Sequence, residues 1–286
     1  MKITDNIYAL KHNFKIPLRA DLSIDRFAYS FIILGKKHVC LVDCGVHDSY
    51  NQIMEYAHGL GRSKEDISTL ILTHAHPDHI GAAAAIKANT GCTVIAHKLE
   101  KPWIEDIALQ YAQRPVPGFN TLLKQSVIVD RLIDEAECIV LDNQIEIKFI
   151  NSPGHSKGSL SVLIHPDNVL ICADALILPG GFPIYEDFTQ TINSVKKLRN
   201  IKGLAVLLSS WSEPEFGDAI YQTMDQSLDY LSRVHNAVIQ TARQSELTPL
   251  ELCAKVVEKL KLPVGAINPL VAASLQVNIK AGNLII

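Results

Sequence analysis

The 286-residue sequence predicts an α+β protein, and three features of its hydrophobic pattern carry this prediction. Residues 29–97 alternate apolar, β-rich runs with segments of helical spacing, which is typical of strand–helix–strand units. Residues 137–172 contain short β-rich runs with little between them, which indicates antiparallel neighbours. From about residue 216 onward the chain has helical spacing. We therefore expect a mixed β-structure followed by a helical C-terminal part.

The N-terminal half is predicted to contain a hairpin and a strand–helix–strand unit. Two β-rich runs that end in glycine are separated by Gly35, Lys36 and Lys37, which indicate a hairpin turn. A helix, a buried strand, an alanine-rich helix stopped by glycine and a further strand follow. In chain order the six segments are YSFIILG, HVCLVDCG, DSYNQIMEYAHGL, STLILTH, HIGAAAAIKANTG and CTVIAH.

The middle of the chain begins with an insertion, residues 98–127, whose aromatic residues and prolines fit neither helical nor strand periodicity. Four short strands are predicted after it, then a helix and one more buried strand. In chain order these segments are ECIVL, IEIKFI, SLSVLIH, NVLICAD, DFTQTINSVKKLRNI and GLAVLLSS.

The C-terminal part is predicted to contain helices with recognisable starts. Thr248 at the N-cap, Pro249 at the first helical position and Glu251 at N3 form a capping box before an apolar run. A second such helix opens at residues 268–269 and closes at Gly282. We expect these helices either to cover a pocket or to form the contact of a homodimer.

Composition argues against several classes of partner. The net charge of −3 gives no electrostatic reason to expect nucleic acid or an anionic membrane. The N-terminal MKITDNIYALKH has no apolar signal-peptide core, and no apolar run is long enough for a membrane helix. The six cysteines are scattered, without a CxxC pair, which favours reduced, structural cysteines. We expect a cytoplasmic protein that acts on a small molecule.

The stretch LTHAHPDHIG gathers four potential metal ligands directly after an apolar strand. His74 and His76 point the same way in an extended segment, because side chains alternate with period two, so both can reach one cation. Pro77 fits the first turn of a helix, which would turn Asp78 and His79 towards a second cation a few Å away. Imidazole with carboxylate suits zinc, iron or manganese. The stretch therefore predicts a metal site.

Two residues downstream supply further ligands for such a site. NSPGHSKGSL places His155 in a turn after a strand, and NVLICADAL places Asp174 directly after another. A carboxylate at a strand end can bridge two cations and hold them a few Å apart, as in two-metal hydrolysis.

These motifs, together with LVDCG near the N-terminus, resemble those of the metallo-β-lactamase-fold hydrolases, which include glyoxalase II and lactonase-type enzymes. The resemblance covers about residues 1–215 and implies a four-layer αβ/βα sandwich, with residues 216–286 as a helical extension packed on it. It implies a first metal on His74, His76 and His155. It also implies a second metal on Asp78 and His79, bridged by Asp174, with Asp43 orienting the loop that carries the motif.

The sequence departs from the family pattern at its last expected histidine. LLSSW aligns best with the turn that carries this ligand, which puts Trp211 in its place. An indole has no free lone pair in the ring plane, so it cannot ligate a metal. Ser209, Ser210 and Glu213 are close in sequence, although the offset of Glu213 is wrong for a simple replacement. We expect zinc as the cation, tightly bound at the first position and more weakly at the second, with iron or manganese as alternatives.

The predicted function is hydrolysis of a small ester, thioester or lactone by metal-activated hydroxide, with Asp78 accepting a proton or holding the nucleophile. A phosphodiester is less favoured because the chain lacks a basic surplus. One alternative is a mononuclear iron enzyme that oxidises sulfur substrates on His74, His155 and Asp174. Another is a non-catalytic binding protein that retains the metal pocket.

Overall fold

The computed structural model describes residues 1–19, 22–142, 144–243 and 246–282. Its twelve described strands form two six-stranded sheets, each with its strands side by side in chain order. In the first sheet β1, β2 and β3 are antiparallel neighbours, and β3, β4, β5 and β6 are parallel. The bounds of these strands are β1 Ile7–Arg19, β2 Leu22–Leu34, β3 Val39–Val42, β4 Ile67–Leu72, β5 Thr93–His97 and β6 Arg131–Ile133.

The second sheet is antiparallel except where its tenth and eleventh strands run parallel. That parallel pair is joined through a helix on the outer face, as a strand–helix–strand connection requires. The bounds are β7 Cys138–Leu141, β8 Ile145–Asn151, β9 Leu160–His165, β10 Val169–Ala173, β11 Val206–Ser209 and β12 Glu215–Phe216.

Ten α-helices are described, and they lie outside the two sheets. Six belong to the first half of the chain: α1 Ser49–Gly59, α2 Pro77–Ile80, α3 Ala83–Thr90, α4 Lys101–Glu105, α5 Ile107–Gln113 and α6 Phe119–Leu122. Four belong to the second: α7 Phe188–Arg199, α8 Asp218–Ala242, α9 Pro249–Leu260 and α10 Pro269–Ala281. None of the described helices combines the length and apolar character that crossing a bilayer requires.

Three buried apolar clusters show that the molecule has four layers. The central cluster lies between the sheets and includes Phe31 from β2 and Phe149 from β8. A second cluster packs α1, α3 and the insertion helices on the outer face of the first sheet, and a third packs α7 to α10 on the second. The αβ/βα sandwich expected from the resemblance is therefore confirmed.

Local sequence signals match the observed elements closely. Gly35 to Lys37 form the turn between β2 and β3, and α9 begins with the capping box of Thr248 and Glu251. Asn268 caps α10, which ends before Gly282. All six cysteines are unpaired, as expected. The hydrophobic pattern did not predict most of the long β1–β2 hairpin or the short strand β6. The insertion 98–127, which fitted neither periodicity, is helical over α4, α5 and α6.

Asp142, directly after β7, joins the end of that strand to the turn between β2 and β3. Its Oδ2 accepts hydrogen bonds from the backbone N–H groups of Lys37 at 2.7 Å and His38 at 3.1 Å, and its Oδ1 contacts His38 Nδ1. Partial burial works to raise the pKa of this carboxyl, but these hydrogen bonds outweigh it and lower the pKa to about 2. The charged form of Asp142 therefore stabilises the fold.

Replacing Asp142 with asparagine should cost about 1–2 kcal/mol of unfolding free energy at pH 7. Because the folded pKa lies below the unfolded one, the contribution is complete above about pH 4 and disappears as the pH falls towards 2. Urea unfolding of both proteins at several pH values measures this difference. A difference that stays constant between pH 7 and pH 2.5 would contradict the assignment. Asparagine tolerates the positive φ of 53° at this position, so backbone strain should not contribute.

The C-terminal helices are tied to the segment that precedes α7. Ser227 of α8 accepts a hydrogen bond from Ile177 N at 3.1 Å, and Ser274 of α10 accepts one from Tyr185 N at 2.9 Å. Asn278 donates to the Tyr185 hydroxyl at 2.7 Å. These contacts and the shared third cluster pack the helices on the preceding sheet, and the boundary at residues 215/216 stays a prediction.

A chain truncated after residue 215 should therefore lose its cooperative unfolding transition or aggregate. Truncation exposes the buried faces of α7 and β11, including Leu198 and Leu207, which pack in one cluster with Leu231. Circular dichroism during heating and light scattering measure the outcome. If residues 1–215 fold and turn over the same substrates at the same rate as the full chain, the helical extension is dispensable and our expectation is wrong.

Candidate metal centre

The histidine-rich loop lies between β4 and α2. β4 ends at Leu72, and His76 is the N-cap of α2, whose first residue is Pro77. Proline at this position needs no hydrogen-bond donor and has the φ of a helix already fixed. Gly81 follows where a side chain would not fit, because a Cβ there would lie 2.4 Å from the backbone of Val46 and His47. The loop is therefore held close to the residues that follow β3.

Asp43, at the end of β3, orients two of the histidines. Its carboxylate accepts hydrogen bonds from Thr73 N at 2.8 Å, from Thr73 Oγ1 at 2.7 Å and from His79 Nδ1 at 2.8 Å. Because the Thr73 hydroxyl donates to Asp43, it accepts from His74 Nδ1 at 3.0 Å. Both imidazoles thus donate from Nδ1, which leaves Nε2 as the nitrogen that would bind a cation.

His155 is held by a turn between β8 and β9. Gly154 has φ of +133°, and a Cβ there would lie 2.4 Å from the backbone nitrogen of Thr191, so only glycine fits. His155 Nδ1 donates to the carbonyl oxygen of Ile184 at 3.0 Å, which leaves the lone pair on its Nε2. Ile184 precedes Tyr185, the residue that the C-terminal helices bind. The helical extension therefore supports a ligand indirectly.

The structure brings six of the predicted ligands to one edge of the sandwich. His74, His76 and His155 offer nitrogens within 4.8 Å of one another, and so do His74, His79 and a carboxylate oxygen of Asp174. The nearest pair in the first group is His76 Nδ1 and His155 Nε2, at 2.8 Å. The sandwich places these residues at the ends of β4, β8 and β10, where Leu160 N also bonds Thr73 O across the two sheets.

Asp174 lies between the two groups. Its Oδ2 is 3.3 Å from His155 Nε2 and 4.0 Å from His74 Nε2, whereas its Oδ1 is 3.4 Å from His79 Nε2. One oxygen of the carboxylate thus faces each group, as a bridging ligand would. Asp78 lies at the rim, with Oδ2 3.6 Å from His79 Nε2.

The buried polar atoms at this edge fit a cation. Four of them lack a hydrogen-bond partner within the part of the chain that the structure describes: His74 Nε2, His76 Nε2, His79 Nε2 and Asp174 Oδ1. Unpaired buried polar groups cost free energy unless something satisfies them. Burial lowers the pKa of three of the imidazoles, those of His74, His76 and His155, so they are neutral and available to a metal near pH 7.

In the second group of ligands, His79 is surrounded by carboxylates. Burial works to lower the pKa of His79, but three carboxylates outweigh it and raise the pKa well above its usual value. These carboxylates belong to Asp174, Asp78 and Asp43. Burial raises the pKa of Asp78. A cation at this position would therefore displace a proton from His79.

Trp211 stands beside Asp174 and donates to it. The indole Nε1–H lies 2.8 Å from Asp174 Oδ2, and the ring also packs against Phe27, with ring centres 6.3 Å apart. Trp211 thus offers a proton where a ligand would offer a lone pair. Glu213 does not reach the site, because it accepts hydrogen bonds from Lys11 at 2.9 Å and from the Tyr29 hydroxyl at 2.8 Å.

Sequence reasoning missed Glu100, a buried carboxylate that connects the two ligand-bearing loops. Its Oε2 accepts from Ala75 N at 2.8 Å, between the first two histidines. Its Oε1 accepts from Ser156 Oγ at 2.7 Å and from Gly158 N at 2.6 Å, in the turn that carries His155. No local signal marks this residue, because its partners lie 25 to 58 positions away.

Comparisons with known proteins identify the family of the chain. The sequence model of the metallo-beta-lactamase superfamily matches residues 24–210. A hydroxyacylglutathione hydrolase of Bartonella quintana (strain Toulouse) is 27% identical over 197 residues, which cover 68% of each chain. The probable metallo-hydrolase YybB of Bacillus subtilis (strain 168) is 22% identical over 229 residues, 77% of this chain and 94% of the relative.

Solved structures share the fold at low sequence identity. A metallo-beta-lactamase family protein from Thermus thermophilus superposes with a TM-score of 0.71 at 16% identity, covering 95% of this chain and 92% of that one. A class B3 di-zinc metallo-beta-lactamase from an Alaskan soil metagenome superposes with a TM-score of 0.57 at 21% identity, covering 72% and 88%. With a family match over more than half its length, the chain belongs to the metallo-beta-lactamase superfamily and is an enzyme of this group of metallo-hydrolases.

Proposed function

We propose that the protein hydrolyses a small ester, thioester or lactone at a metal centre held by His74, His76, His155 and Asp174, with Asp78 and His79 completing a second position. One observation carries the proposal: the nitrogens of four buried imidazoles and a buried carboxylate converge at one edge of the sandwich. The relative named as a hydroxyacylglutathione hydrolase supports a thioester among the three classes. Zinc is the cation that this mixture of imidazole and carboxylate favours.

A bound cation would supply Lewis acidity, lowering the pKa of a water molecule and polarising a carbonyl group. The residues of the chain would hold the ligands in position and accept a proton. Asp78 lies at the rim of the site and would accept the proton of the attacking nucleophile or hold it in place. Asp43 holds His74 through Thr73 and holds His79 directly, so both rings keep their Nε2 towards the site.

The proposal is tested with full-length protein purified without chelator or added metal. Its metal content is measured by mass spectrometry, and turnover is then measured on matched panels of thioesters, lactones and phosphodiesters. We expect zinc and turnover of a carbonyl substrate that a chelator abolishes and added zinc restores. Turnover of phosphodiesters alone, or none on any substrate by zinc-loaded protein, would overturn the proposal.

A second candidate is a mononuclear iron enzyme that oxidises sulfur substrates. The hydrogen bond from Trp211 to Asp174 favours it, because the position of a second-metal ligand is taken by a donor. The ring centres of His74 and His155 are 4.9 Å apart. Asp174 Oδ2 lies 4.0 Å from His74 Nε2 and 3.3 Å from His155 Nε2, so one cation could contact all three residues. Iron in the purified protein, with oxygen consumption on addition of a thiol, would favour this candidate over hydrolysis.

A further inference from the structure

The insertion helix α5 lies against the metal-binding loop. The side chain of Gln110 is buried, and its Nε2 donates to the carbonyl oxygen of Ala75 at 2.6 Å, between His74 and His76. Its Oε1 is buried without a hydrogen-bond partner among the described residues. The face of α5 that carries Gln110 is therefore turned towards the candidate metal centre.

Arg114 is the C-cap of this helix, directly after Gln113. Its backbone N–H donates to Gln110 O at 2.8 Å, so Arg114 lies one turn beyond Gln110. Its side chain is half-buried. Over residues 1–19, 22–142, 144–243 and 246–282 no carboxylate pairs with this guanidinium within 4.0 Å, and no acceptor receives a hydrogen bond from it.

The charges around Arg114 are those of the site. Burial lowers the pKa of Arg114, while the fields of Asp78, Glu186 and Asp174 oppose that shift. The same guanidinium adds to the effect of burial in lowering the pKa of His76. Both effects require the guanidinium to lie within electrostatic range of the ligands.

The nearby carboxylates have other partners. Glu100 is bound to backbone and hydroxyl donors, and Asp174 is bound to Trp211. Once Asp78 and Asp174 face a divalent cation, Glu186 and Glu100 remain as neighbouring negative charges. Neither of them forms an ion pair with Arg114 within 4.0 Å among the described residues. A partly buried guanidinium without a hydrogen-bond partner, next to a cation, attracts a ligand that carries a carboxylate or another planar oxyanion.

We propose that Arg114 is a specificity-determining residue that binds an anionic group of the substrate, so that the enzyme prefers carboxylate-bearing esters or thioesters over neutral ones. This rests on the proposed hydrolase function. The carboxylate would accept the guanidinium N–H groups while the scissile carbonyl lies at the metal centre, and Gln110 Oε1 would accept a donor from the same ligand.

The test uses thioesters of N-acetylcysteamine that differ in one charge: the butyryl ester is neutral, and the hemisuccinyl ester carries a carboxylate. We expect the native enzyme to favour the charged substrate in kcat/KM, mainly through KM. Arg114→Ala should reduce that preference by about 10- to 100-fold, the value of a charge-assisted hydrogen-bond pair. Arg114→Lys should recover part of it, because lysine keeps the charge but loses the fork of donors.

Lys124→Ala is the matched control. Lys124 is an exposed cation of the same insertion, and its loss should leave the preference unchanged. Equal losses of kcat/KM for both thioesters in Arg114→Ala would show a structural role and overturn the proposal. A native enzyme that does not distinguish the two thioesters would also overturn it, even though hydrolysis itself would then stand.

A binding measurement separates this proposal from the hydrolase function. Isothermal titration with glutarate is run on zinc-loaded and metal-free protein, for the native chain, Arg114→Ala and Lys124→Ala. We expect weakened or lost binding in Arg114→Ala alone, in both metal states. If no thioester is turned over, glutarate binding that depends on Arg114 supports the anion site while the hydrolase proposal fails. Glutarate binding that is equal in all three proteins overturns the anion site.

Discussion

His76→Ala should lose most of the bound metal and reduce turnover by at least about 1,000-fold. His76 Nδ1 lies 2.8 Å from His155 Nε2, and its ring centre is 4.5 Å from that of His74, so it is close to both other histidines of the group. Alanine leaves two imidazoles and the shared carboxylate of Asp174, which should hold zinc too weakly to retain it during dialysis. Metal content after dialysis and kcat/KM on the best substrate measure the two effects.

The matched control is His58→Ala, which removes an exposed imidazole from α1 and should change neither quantity. The His76 variant should still fold, because Asp43, Thr73 and Glu100 hold the loop without it. Its thermal unfolding should therefore match that of metal-free native protein. Full metal occupancy in His76→Ala would exclude this histidine as a ligand.

Native protein should keep one metal per chain after exhaustive dialysis and lose a second. The first position has three imidazoles, whereas the second has Asp78, His79 and the shared Asp174. Trp211 adds no ligand to it and instead donates its N–H to Asp174 Oδ2 at 2.8 Å. A missing imidazole leaves a position for water, which weakens binding by at least about 10-fold.

Two substitutions of Trp211 separate the effect of the missing ligand from that of the indole hydrogen bond. Trp211→His supplies a lone pair and should raise the stoichiometry towards two metals per chain. Trp211→Phe removes the N–H without adding a ligand, so the stoichiometry should remain near one. Two tight metals in dialysed native protein, unchanged in Trp211→His, would show that the positions are equal and refute the prediction.

The sequence alone predicted most elements of the chain and named the candidate ligands. Strand alternation, helix caps and the spacing of His74, His76, Asp78 and His79 depend on neighbours within a few residues, and such short-range effects are readable from one sequence. His155 was found in a turn that follows an apolar strand, and Asp174 directly after another. Trp211 was recognised as a departure from the family pattern, although the sequence did not indicate what its side chain does.

Only the tertiary structure decided how these residues act on one another. It placed Asp43 on Thr73 and His79, joined the two ligand loops through Glu100 and turned the Trp211 indole onto Asp174. Glu100 and Ser156 are 56 positions apart, and Trp211 and Asp174 are 37 apart. Contacts over such separations follow from sheet pairing and the packing of layers, which no local period encodes. For the same reason, Arg114 could be recognised only once α5 lay against the histidine loop.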